Sequence, residues 1–367
     1  MFRWILVLGV AAWGSTAIAA EAVRYAPPPD WVHPAPIPDI PPGKDGAAVQ
    51  TLLLDSQSRF GPDRDEFYAE SAVRLQTPQG VASAATLPIS WSPDTETVTL
   101  HRMAIIRDGK SIDLLAGGKN VTVLRREGKL ELSMLDGRLT ATVQPEGLRV
   151  GDIIDIAMTL ERHDPVFQGR SQALSIMRFP GVAGRVRLRA IWPAGKPVAW
   201  RTTEGFPKLV VSHPDGGTEV LADGQDLTAP KPPENAPERF SEVGVLELSQ
   251  FQSWAEVSAL MAPLYRKAAT LAPDSPLHAE AARIRAASSD PKARAEAALR
   301  LVEDQVHYVS LAMNFGGYVP ADADLTWSRR FGDCKGKTTL LLALLHELGI
   351  EAQPALVNTT DGDALPL

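Results

Sequence analysis

Two periods of hydrophobic and polar residues divide this 367-residue chain. From about Val49 to Asp226 apolar positions alternate with polar ones. Phe67, Ala69, Ser71, Val73 and Leu75 interleave with Tyr68, Glu70, Ala72 and Arg74, and Val186, Leu188, Ala190 and Trp192 with Arg185, Arg187 and Arg189. A period of two is the mark of a half-buried strand. Asp108-Gly109, Glu127-Gly128, Asp136-Gly137 and Asp215-Gly216-Gly217 fall between such runs. Asp-Gly is a strong hairpin signal because both positions tolerate positive φ. The pattern predicts an all-β domain over residues 47–227, an antiparallel sandwich or an open barrel. The arginine row reads as a solvated sheet face, with contact to an acidic partner as the alternative.

Farther on, the period becomes helical. Ser253 followed by Glu256 makes a capping box, and Trp254, Val257, Leu260, Met261, Leu264 and Tyr265 form an apolar stripe behind it. Ser275-Pro276 and Asp290-Pro291 each set an N-cap before a proline at the first helical position. The last of these helices carries Leu301, Val302 and Val306 inward and is expected to end near Tyr308, after which Gly316-Gly317 forces a turn. Gly332 and Asp333 then break the chain, and Leu340, Leu341, Leu344, Leu345 and Leu348 recur on one stripe, closed by Gly349 as a C′ residue. Cys334, the only cysteine, thus falls in the first turn of a helix. Unpaired N–H groups and the positive end of the macrodipole favour an anion there, and Lys335 and Lys337 act in the same sense. That is the setting of a nucleophile; the alternative is a small buried hydrophobe.

Proline separates the parts. Residues 21–46 contain Pro27, Pro28, Pro29, Pro34, Pro36, Pro38, Pro41 and Pro42, which predicts an extended tether, with Trp31 and His33 either docked or solvated. Residues 228–238 form a second link and the expected domain boundary. Residues 1–20 read as a signal peptide, with Arg3, an apolar run from Trp4 to Trp13, and Ala17-Ile18-Ala19 for cleavage; the alternative is an uncleaved anchor. The run falls short of the ~20 apolar residues that span a bilayer, and no later stretch is apolar enough. The mature chain is therefore expected to be secreted, and periplasmic in a bacterium with two membranes.

Composition changes this picture little. A hydrophobic share of 44% with 22% charged residues suits a globular protein. The net charge of -7 argues against a nucleic-acid partner. One cysteine allows no internal disulfide. His101, His163 and His213 lie on separate expected strands without ligand spacing, so no metal is expected.

Gly332-Asp333-Cys334-Lys335, the leucine-rich helix and a following strand over Ile350–Asn358 resemble the nucleophile segment of the transglutaminase-like superfamily, a papain-like cysteine fold. With Gly316-Gly317-Tyr318-Val319-Pro320 and the β-rich front half, they resemble its bacterial secreted branch, in which a β-rich domain of unknown function precedes the core. The resemblance implies a multidomain protein whose residues 239–367 form an α+β core. It implies Cys334 as nucleophile, with its own backbone N–H in the oxyanion hole, and a thioester released to an amine or to water. A protein or peptide substrate follows, and no cofactor; no acidic loop supports calcium. The family's base is a histidine and its orienter an aspartate, both on strands after the helix, and neither is met before Leu367. His346 lies twelve residues along the helix from Cys334, ~18 Å away at 1.5 Å per residue. His278 and His307 sit on preceding helices, and Asp361 and Asp363 read as turn formers. The expectation is a piece of a longer protein rather than a naturally short one, its core incomplete at the C-terminus and inactive alone. The alternative function is a non-catalytic envelope-binding or scaffold module.

Overall fold

The computed structural model describes residues 22–43, 46–116, 121–125, 131, 133–231, 234–235, 237, 244–311 and 317–357. The expected signal peptide, the Glu127-Gly128 turn, Gly316, the strand end at Asn358 and the Asp361–Asp363 turn lie outside them.

The alternating half builds a nine-stranded sheet. Its order is Arg24–Tyr25, Glu96–Arg107, Ile153–Arg162, Asp65–Leu75, Val49–Phe60, Val182–Trp192, Thr218–Thr228 and Val210–Ser212, with Lys110–Asp113 also on Glu96–Arg107. Most pairs are antiparallel, but Val182–Trp192 runs parallel to Val49–Phe60, as does Arg24–Tyr25 to Glu96–Arg107, so the sheet is mixed. Asp108 and Gly109 both take positive φ, 51° and 73°, in the hairpin that their sequence predicts. Asp215 and Gly216 do the same between Val210–Ser212 and Thr218–Thr228. Asp136-Gly137 joins strands of different sheets instead of closing a hairpin.

One face of the sheet is apolar and is covered twice. Trp91, Ile89, Leu139, Ala141 and Val143, from a three-stranded sheet, pack on Val98, Leu100, Met103, Ile105 and Ile154. A second small sheet, Gln172–Ile176, Val245–Ser249 and Ala199–Thr202, sets Leu246 and Leu248 against Phe60, Ala190, Trp192 and Val220. The arrangement is sandwich-like as expected, but its main sheet is mixed and not antiparallel throughout. It also corrects the boundary at 228–238: Val245–Ser249 pairs within the β unit, so the chain returns to that unit before its helices begin.

The opposite face is charged yet buried, which corrects two further expectations. Arg187 and Arg189 are 8% and 7% exposed, not solvated. Arg187 makes a two-pronged pair with Asp55, at 2.8 and 2.7 Å, and Arg189 pairs with Glu219. Above them lies the proline-rich segment, which is no free tether: Val32 and Ala35 are buried on the sheet, and Arg59 stacks over Trp31.

Six helices are described: α1 (Pro78–Ser83) in the β unit, then α2 (Trp254–Ala268), α3 (Leu277–Ala287), α4 (Pro291–Gln305), α5 (Ala323–Arg329) and α6 (Cys334–Glu347). Their caps follow the sequence. Ser253 Oγ accepts from Glu256 N–H, and Asp290 accepts from Lys292 and Ala293 N–H. Helices α2 to α6 share one core around Leu277, Val302, Trp327, Leu340 and Leu344. Among the described residues this core meets the β unit where Ser310–Leu311 pairs with Met134–Leu135 and where the Tyr318 and Phe167 rings stand edge to face, their centroids 4.8 Å apart. No described helix is long and apolar enough to cross a membrane.

Candidate functional site

Helix α6 is apolar on nearly every side because it is enclosed by α2, α3, α4 and α5. A helix so placed is a fixed platform for whatever its first turn presents. Asp333 is its N-cap, with Oδ1 accepting from Gly336 N–H at 2.9 Å. The approach is fixed as well. Phe331–Gly332 pairs with His307–Tyr308, and Arg330 ends α5 in a left-handed conformation at φ 61°. Cys334 follows as the first helical residue, exposed to solvent. Its backbone N–H is among those that a helix leaves without an internal partner.

Gly332 and Gly336 bring α5 against this turn. A Cβ on Gly336 would lie 2.9 Å from Thr326 Oγ1, and one on Gly332 3.0 Å from Thr326 Cγ2. Thr326 is buried, so it cannot swing aside. Gly336→Ala is expected to lower stability by about 1–2 kcal/mol despite the better helix propensity of alanine. Thr326→Ala in the same chain should restore most of the loss in a urea titration.

Both lysines have other partners. Lys335 is paired with Asp333, and Lys337 Nζ donates to Val306 O at 2.7 Å, closing the end of α4. The sequence misses a more telling neighbour, Tyr265 of α2. Burial, and after it the negative field of Cys334 and Asp333, push its phenol up. Tyr265, 8% exposed, therefore holds its phenol proton and lies within electrostatic range of the cysteine. It also lines a cleft of about 770 Å³ between α2 and residues 351–356, with Trp254, Val257, Met261, Leu342 and Leu356.

None of the sequence's histidines is joined to the sulfur by a hydrogen bond among the described residues. His278 Nδ1 meets Glu347 Oε2 at 3.0 Å, at the far end of α6, about 20 Å from Cys334 at 1.5 Å per residue. His346 is exposed on the same distant turns. His307 sits opposite Phe331, on a short strand beyond α4 rather than in a helix. His101, His163 and His213 face main-chain carbonyls in the β unit. The bond to Glu347, then that to Ala272 O, raises the His278 imidazole above its ordinary 6.5. A raised pKa means stability that is present below pH 6.5 and lost as the pH climbs through the raised value. His278→Gln is thus expected to lose stability at pH 5.5 and to match the parent chain near pH 9 in paired thermal melts.

Residues 351–357 are irregular, not the expected strand, since no described strand lies beside them to pair; Leu356 and Val357 are exposed. Among the described residues no group of three or more His, Cys, Asp or Glu stands close enough to hold a metal.

This geometry can be set beside known proteins. Residues 62–231 match the domain family DUF3857. Its description is a domain of unknown function with solved structure. The match stops short of the central strand Val49–Phe60 and of the whole helical core. Among solved structures the fold is shared with a protein from Parabacteroides distasonis ATCC 8503 described as a "putative protease". The TM-score is 0.65 at 16% identity, over 82% of this chain and 59% of that one. The chain thus spans under two thirds of that structure's length, and the likeness is one of fold. No curated protein matches the chain.

Proposed function

We propose that the chain belongs to an exported thiol protein of transglutaminase-like fold that transfers acyl groups through Cys334. The carrying observation is the placement of that sulfur. It is exposed, at the first position of a helix packed against four others, directly after a capping aspartate. Attack on an amide or ester carbonyl forms the Sγ–acyl bond and expels the amine or alkoxide, and water or an amine then takes the acyl group. The developing oxyanion needs donors, a role this reading assigns to the Cys334 N–H and the Tyr265 hydroxyl. The likeness to a structure described as a protease favours amide substrates. Export rests on the sequence pattern of residues 1–20, which a periplasmic location would suit. A histidine base and an aspartate to orient it belong to the same reading.

That no histidine among the described residues is hydrogen-bonded to the sulfur favours a second reading, a binding module that keeps the fold without the chemistry. Iodoacetamide separates them. The first reading expects Cys334 to be alkylated faster in the folded chain than in urea at the same pH, with Cys334→Ser unlabelled. Equal or slower alkylation in the folded chain sinks it and favours the binding module. Tyr265→Phe should leave alkylation within about twofold but lower acyl transfer by roughly 10²-fold, the usual cost of one oxyanion donor.

A further inference from the structure

The charged sheet face treats the proline-rich segment as a ligand. Every hydrogen bond from a sheet side chain to residues 26–41 among the described residues ends on main-chain atoms. Gln57 donates to His33 O at 2.7 Å and accepts from His33 N–H at 3.0 Å, as a neighbouring strand would. Arg187 donates to His33 O and Pro34 O, and Arg189 to Trp31 O at 2.9 Å. Farther along, Arg74 donates to Ile40 O at 2.7 Å and Gln50 to Pro41 O at 3.0 Å. Side-chain identity enters through Val32 and Ala35, which are buried, and through Trp31, Ile37 and Ile40 packed beside them. Past the turn that Val32 N–H closes on Pro29 O, the segment runs without helix or strand, and its prolines leave it little entropy to lose.

We infer that this face is a binding surface for extended, proline-rich polypeptide, read through its backbone, and that residues 26–42 occupy it in cis. The segment's tether gives it an effective concentration in the millimolar range, so a free peptide competes poorly with it in the intact chain. Cutting the tether removes that advantage.

The test uses the full chain with a specific-protease site inserted after Gly43. After cleavage, with folding followed by circular dichroism, a fluorescent peptide of residues 26–42 is expected to replace the segment within hours, the uncut chain taking up none. A His33→Ala peptide should bind within threefold of the parent, because the side chain is not read. A His33→Pro peptide, which loses the N–H that Gln57 accepts, should bind at least tenfold more weakly. Gln57→Ala in the cleaved chain should weaken the parent peptide similarly and erase the difference between the two variant peptides. Retention of the cut segment without exchange for a day makes it a permanent layer and overturns the inference. Unfolding on cleavage does the same, as does an exchanged dimer, which makes the occupant a second copy.

Discussion

Arg187→Ala is expected to destabilise the chain by about 3–5 kcal/mol, the range found when one partner of a buried ion pair is removed. The Asp55 side chain is fully buried, and both its oxygens accept from the Arg187 guanidinium. Alanine leaves that carboxylate without a counter-charge where water cannot replace it, and the carbonyls of His33 and Pro34 lose a donor. An arginine on a solvated face would cost less than about 0.5 kcal/mol. Urea titration measures the difference, and Asp55→Ala in the same chain should recover part of the loss, since the two residues act as a pair.

Cys334→Ser should change stability by less than about 0.5 kcal/mol, because the side chain is exposed. Its effect on chemistry is the opposite. In a polypeptide that also carries the histidine and aspartate, acyl transfer should fall on the order of 10⁴-fold or more, as for other nucleophile replacements. Serine is the weaker nucleophile at its free pKa, and the setting around residue 334 suits a sulfur. Release of product from an ester or amide substrate reports the change, with the unaltered melting curve as control.

Helix α6 was legible because local signals agreed: a break at Gly332-Asp333, a leucine stripe and a C′ glycine with φ 73°. The β unit was legible for the same reason, through its period of two and two Asp-Gly turns. What failed was whatever depends on a distant surface. Arg185, Arg187 and Arg189 alternate with apolar residues as a polar outer face does, and their partners Asp223, Asp55 and Glu219 lie far away in sequence. The cover over that face has no period, so a sequence rich in proline read as a tether. The strand Val245–Ser249 is five residues long and follows a proline-rich link, too short a signal to reassign the boundary. Tyr265 reads as one more member of an apolar stripe, and only the packing of α2 on α6 brings it within electrostatic range of the cysteine.

The proposed nucleophile can be examined by incubating the folded chain with p-nitrophenyl acetate and mapping the acyl group by mass spectrometry. Attack by Sγ on the ester carbonyl forms the thioester and releases p-nitrophenolate. The expected result is one acetyl group per chain, located on Cys334, removed by hydroxylamine and missing from Cys334→Ser. Acetyl groups scattered over lysines, with Cys334 unmodified, would contradict the assignment of that sulfur as the reactive centre.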